Sequence, residues 1–149
     1  MAEKCLVSAR DIDVMAETEF VHPLNGNAVR KTRTLGDLAG LKNLGVHLVR
    51  VEPGHETTEF HFHHAEDEFV YILSGRGLAE IDGEHIEVGP GDFIGFPAGG
   101  PPHDMRNPGP EDLIYLMVGE RHFGDVVDYP RKGKRLLKAG GHRKIIDLE

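Results

Sequence analysis

The sequence predicts an all-β domain, an antiparallel sandwich or barrel, on three observations. Short apolar segments follow one another between residues 46 and 119, with turn residues recurring at roughly the eight- to twelve-residue spacing of such folds. Asp82-Gly83 separates two alternating segments, the strongest local hairpin signal because a type I′ turn needs positive φ at both central positions. Glycine is abundant, 19 of 149 residues, as a chain with many tight turns requires. A chain of this length fits one domain, so separate cofactor and substrate modules are not expected.

The elements follow in order. The first forty residues mix charges with short apolar pieces; Ser8 is placed to cap a weak helix over residues 9–19, and the segment as a whole reads as an extended arm. Residues 46–51 are β-branched, alternate roughly, and end at the turn pair Pro53-Gly54. Strands are then expected at 59–63, 68–74, 77–81, 85–88, 93–96 and 113–119. Ser74-Gly75, Asp82-Gly83, Pro90-Gly91 and Asn107-Pro108-Gly109 punctuate them.

The formal charge of -8 argues against nucleic acid as a partner, since phosphate binding needs concentrated Lys and Arg. Seven of the 17 basic residues lie between Arg131 and Lys144 with no acid among them. The rest of the chain is strongly acidic, so this stretch is expected to lie against its own domain as a self-neutralising tail. No run of about 18 apolar residues is present, so no membrane partner is expected. Single Cys5 and the absence of a secretory pattern at the start lead to the expectation of a cytoplasmic protein.

Ten histidines are the unusual feature of the composition. His22, His47, His85, His122 and His142 are scattered and read as ordinary surface or core residues. The chemistry is concentrated in residues 59–68. On a strand, residues two apart share a face, so His61 and His63 project together while Phe60, Phe62 and His64 turn away. A bulge would bring His64 in as a second choice. Glu68 opens the next apolar segment, where an antiparallel neighbour can carry its carboxylate back beside the rings. His103 is distant in sequence but reachable across a small barrel. His55, Glu59 and Glu66 read as exposed loop or rim groups, and Phe62, Tyr71, Phe93 and Phe96 as core or interface fillers. Gly75-Arg76-Gly77 lacks the third glycine of a dinucleotide fingerprint, and no phosphate-binding lysine motif or serine elbow occurs.

These residues resemble the two motifs of the cupin superfamily. The first is matched by Gly54, His61, His63, Glu68 and Gly75, and the second by Gly91, Pro97, Gly99, His103 and Asn107. One extra residue separates Gly54 from His61 and another separates Gly99 from His103; both fall in loops. The segments 66–75, 91–99 and 118–130 are further similar to a subgroup of single-domain bacterial cupins. The resemblance implies a double-stranded β-helix, a jelly-roll barrel, over residues 44–120, with residues 1–43 as an N-terminal arm with edge elements and 121–149 as a basic tail.

It also implies that His61, His63, Glu68 and His103 bind one divalent metal. Three imidazoles and a carboxylate form a borderline N/O donor set suited to Fe, Mn, Ni or Zn. Four protein ligands leave open positions on an octahedral ion, which favours a metalloenzyme of dioxygenase, isomerase or lyase type on a small-molecule substrate. A non-catalytic cupin that binds or senses a small ligand is the alternative. Tyr71 and Asp104 are the candidates for an acid or base. Barrel edges of this kind are commonly covered by a second copy, so a homodimer is expected.

Overall fold

The computed structural model describes residues 5–149. Helix α1 (Ala9–Val14) is capped by Ser8, whose Oγ accepts the Asp11 N–H. It stops well short of residue 19 because the chain enters β1 (Thr18–His22), which pairs antiparallel with β2 (Asn25–Thr34). Helix α2 (Leu35–Leu38) leads into β3 (Leu44–Val51), followed by β4 (Phe62–His63), β5 (Glu68–Ser74), β6 (Gly77–Ile81), β7 (Glu84–Val88) and β8 (Phe93–Phe96). The chain continues through β9 (His103–Arg106), β10 (Leu113–Glu120), β11 (Gly124–Tyr129), β12 (Lys134–Ala139) and β13 (His142–Asp147). Asp82 and Gly83 both have positive φ, and Ile81 pairs with Glu84, as the predicted hairpin requires.

Three antiparallel sheets result, ordered β1-β2-β3-β10-β5-β8, β13-β12-β11-β4 and β7-β6-β9. His61 and His103 exchange two backbone hydrogen bonds of 3.1 and 2.9 Å, joining the two smaller sheets into one wall. The six-stranded sheet contributes Val49, Val51, Val70, Ile72, Leu113 and Tyr115 to the main core, against Ala79, Val88 and Met105 of the opposite wall. Strand alternation accounts for the choice: on β5, Val70 and Ile72 point in, while Tyr71 and Leu73 remain exposed beside Phe93 on the outer face.

The segments expected as an arm and a tail are paired strands of the same fold. β1 and β2 extend the six-stranded sheet, and β11 to β13 build most of the four-stranded one. Their polar sequences conceal the alternation. Strands β12 and β13 carry much of the basic run, and its residues find acids: Lys134 pairs with Asp147, Arg135 with Asp128 and Lys138 with Glu66. A second small core of Val127, Tyr129 and Leu136 forms beneath them, with Leu24 packed against it. Among the described residues no helix is long and apolar enough to cross a membrane.

Gly75 ends β5 at φ +80°, and a Cβ there would lie 2.2 Å from the Asp112 carbonyl oxygen. Gly75→Ala is therefore expected to cost about 2–4 kcal/mol, from left-handed strain plus overpacking. Gly83→Ala, at φ +84° with no atom within 4 Å, carries the strain alone and should cost about 1 kcal/mol. Urea unfolding of the two variants measures the difference.

Candidate metal centre

His61 and His63 lie two residues apart and present their rings to one side, with centroids 5.1 Å apart. His103, the cross-strand partner of His61, places its ring 4.7 Å away. Glu68 enters from the first residue of β5, opposite Gly119 on β10, where the missing side chain leaves room for the carboxylate. Its Oε1 lies 3.1 Å from His103 Nε2 and 3.4 Å from His61 Nε2, and its Oε2 lies 3.5 Å from His63 Nε2. The structure thus brings together all four residues singled out as ligands.

Each imidazole is fixed through its other nitrogen. His61 Nδ1 donates to the Glu59 carbonyl two residues back (2.8 Å), and His103 Nδ1 to the Pro101 carbonyl (3.1 Å) in the loop that carries the extra residue. His63 Nδ1 donates to the Asp125 carboxylate at 2.6 Å. With Nδ1 protonated, a neutral ring carries its lone pair on Nε2, and all three lone pairs face Glu68. Three lone pairs and a carboxylate are acceptors only, so the set is matched to a cation at its centre. Burial works against ionisation of Glu68, but before a cation binds, protons on Nε2 of His103 and His61 are donated to it in hydrogen bonds. With the charge of His63 they outweigh the cost of burial and hold the carboxyl well below its usual range; a cation would displace those protons and meet the lone pairs. Phe96 stacks on His103 at 3.6 Å and fixes the ring plane.

Behind His63 lies a second group that the sequence pattern does not announce. Asp125 (4% exposed) accepts from His63 and from the Ala65 N–H, and Glu66 lies beside it. Lys138 Nζ contacts Glu66 and sits 3.9 Å from Asp125 Oδ2, so a lysine supplies the cation of this group. Burial resists ionisation of Asp125, yet the His63 and Ala65 hydrogen bonds keep its carboxyl below the ordinary range. Glu59 and Glu66, expected at an exposed rim, are buried; Glu59 accepts a hydrogen bond from Asn25.

The donor cluster opens into a cavity of about 550 Å³. His22 and His47, expected to be incidental, line it along with Tyr129 and Arg30. His22 Nδ1 accepts the Leu24 N–H, so Nε2 carries the proton; burial and the charges of Arg30 and His61 lower its pKa to about 4. Tyr129 packs 5.2 Å from His22 and 6.1 Å from His61, and burial raises its hydroxyl to about 12. His64 turns away, stacking on Phe62 and meeting Asp128 at 2.9 Å, as strand parity predicts. The structure does not bring Tyr71 to the cluster: it points outward from β5. Asp104 borders the cavity, but His103 and Met105 take the buried positions of β9, and its carboxyl, raised to about 6 by burial and the charges of Glu80 and Glu56, lies towards those acids.

The cupin domain family matches residues 47–119. A solved structure of a provisionally assigned sugar phosphate isomerase from Acidithiobacillus ferrooxidans is 43% identical, covering 99% of this chain and 94% of its own, with a TM-score of 0.95. A sugar phosphate isomerase of the cupin superfamily from Silicibacter pomeroyi is 28% identical, over 92% of this chain and 90% of its own, with a TM-score of 0.83. The chain belongs to the cupin superfamily. This cupin is also 41% identical over 66 residues to an uncharacterized protein of Methanocaldococcus jannaschii, a match to 44% of this chain that spans about half the length of that relative.

Replacing His61, Glu68 or His103 with Ala should abolish stoichiometric metal uptake with the fold retained, while His64→Ala keeps it. Asp125→Asn, which removes the carboxylate behind His63, should weaken metal affinity about 10- to 100-fold. Elemental analysis and competition with a chromophoric chelator read both effects; undiminished uptake in the ligand variants refutes the assignment.

Proposed function

We propose that this cupin is a metal-dependent isomerase that interconverts the aldose and ketose forms of a small phosphorylated sugar. The observation that carries the reading is the convergence of three Nε2 atoms and one carboxylate on the wall of a cavity of about 550 Å³, large enough for such a substrate. The 43% identical relative over nearly the whole chain supports the reaction class. His61, His63, Glu68 and His103 would hold the ion, which when bound polarises a carbonyl and its neighbouring hydroxyl.

The remaining chemistry belongs to the chain. Isomerisation takes a proton from C2 and returns one to C1, while the hydroxyl proton passes between O2 and O1. Tyr129 and His22, both neutral at pH 7, offer an O–H and an Nε2–H beside His61 to hold the substrate's oxygens. The lone pair of His22 is occupied by Leu24. His47 lies on β3 opposite Met117, on a cavity-lining face; burial and Arg121 keep it neutral, and we assign it the transfer between the carbons.

Metal-loaded protein should interconvert phosphorylated aldoses and ketoses in an NMR assay. Chelation or His103→Ala should slow turnover at least about 100-fold, the loss of several kcal/mol of charge stabilisation. Tight sugar phosphate binding with no turnover by fully loaded protein would instead establish a binding or sensing module.

A further inference from the structure

We propose that Arg30 and Arg143 form an anion subsite across the cavity mouth that takes the phosphoryl group of the substrate. The proposal rests on reading this cavity as the substrate site and assigns the residues that select a phosphorylated ligand.

Among the described residues, many cations of this acidic chain are paired, whereas Arg30 and Arg143 of the cavity lining are not. Lys31, Arg50, Arg121, Arg131, Arg135 and Lys138 all meet carboxylates. Arg30 is half-buried and makes no ion pair among the described residues. Its guanidinium lies 5.0 Å from the Phe20 ring centroid, and Nη1 is 3.7 Å from Met117 Sδ. Apolar and sulfur neighbours hold the plane but leave the charge uncompensated, in a chain with 25 acidic residues available to compensate it.

Arg143 arrives from the other wall. It pairs in register with Lys138, whose side chain points inward to Glu66, so Arg143 shares that inner face. It too has no ion pair among the described residues and lines the same cavity. Lys132, in the turn that precedes β12, is exposed, makes no ion pair among the described residues and does not line the cavity.

Both arginines bear electrostatically on one group, the Tyr129 hydroxyl, although they come from different sheets. Tyr129 packs against His61. The two arginines therefore line one cavity with the donor cluster, from different sheets. Two of the cavity carboxylates are paired where they stand, Glu66 with Lys138 and Glu120 with His122. Two planar guanidiniums suit a phosphomonoester, with its charge near -2 and three peripheral oxygens, better than a single-charge carboxylate.

Titration calorimetry of the full-length protein with inorganic phosphate, and with glucose 6-phosphate against glucose, tests the assignment. Arg30→Gln and Arg143→Gln should each weaken phosphate binding about 10- to 100-fold. Lys132→Gln, the same charge change away from the cavity, should leave it intact. Metal content should be unchanged in all three, and Arg30→Lys should recover part of the loss. Wild-type phosphate affinity in both arginine variants, an equal loss in Lys132→Gln, or acetate binding as tightly as phosphate would overturn the proposal. A protein that takes up no metal or turns over no sugar, yet loses phosphate binding in the arginine variants, would defeat the isomerase reading and leave this subsite standing.

Discussion

The centre depends on one constraint: three imidazoles must each surrender Nδ1 to the scaffold so that three Nε2 lone pairs converge with Glu68. Two of these anchors are backbone carbonyls, at Glu59 and Pro101, and so are set by the path of the chain itself. The third is the Asp125 carboxylate, supplied by β11. The paired backbones of His61 and His103 fix the spacing of two rings and also join the two smaller sheets. The same hydrogen bonds that close one wall of the sandwich therefore position half of the donor set.

The acidic groups behind the site are balanced locally rather than exposed to solvent. Lys138 lies against Glu66 and near Asp125, leaving His63 to receive a carboxylate acceptor without an uncompensated buried charge. A buried carboxylate behind a ligating imidazole raises the basicity of the ring and fixes its orientation. The contribution comes from strands β11 and β12, so the basic C-terminal segment is part of the site as well as of the sheet.

The features readable in the sequence are those with short-range periodicity. Alternation placed His61 and His63 on one face and turned His64 away, and β5, β6 and β8 occupy the expected residues because their apolar pattern is bounded by glycine turns. The motif resemblance linked them to Glu68 and His103. What lay hidden has a common cause: strands that face a polar cavity lose the apolar alternation that reveals a strand. His22 on β1, Arg30 on β2, Tyr129 on β11 and Lys138 on β12 line the cavity, and Asp125 of β11 is buried behind His63, all from segments that read as an arm and a tail. Glu59 and Glu66 were misplaced for a related reason: a partner on a distant strand, Asn25 or Lys138, turns a rim carboxylate into a buried one.

Anomalous scattering from crystals of metal-loaded protein tests the central claim most directly, because two donor groups share His63. A single peak bounded by the Nε2 atoms of His61, His63 and His103 and the Glu68 carboxylate is the expected result. A peak between His63, Glu66 and Asp125 with Lys138 displaced, or no peak at either group, would contradict it.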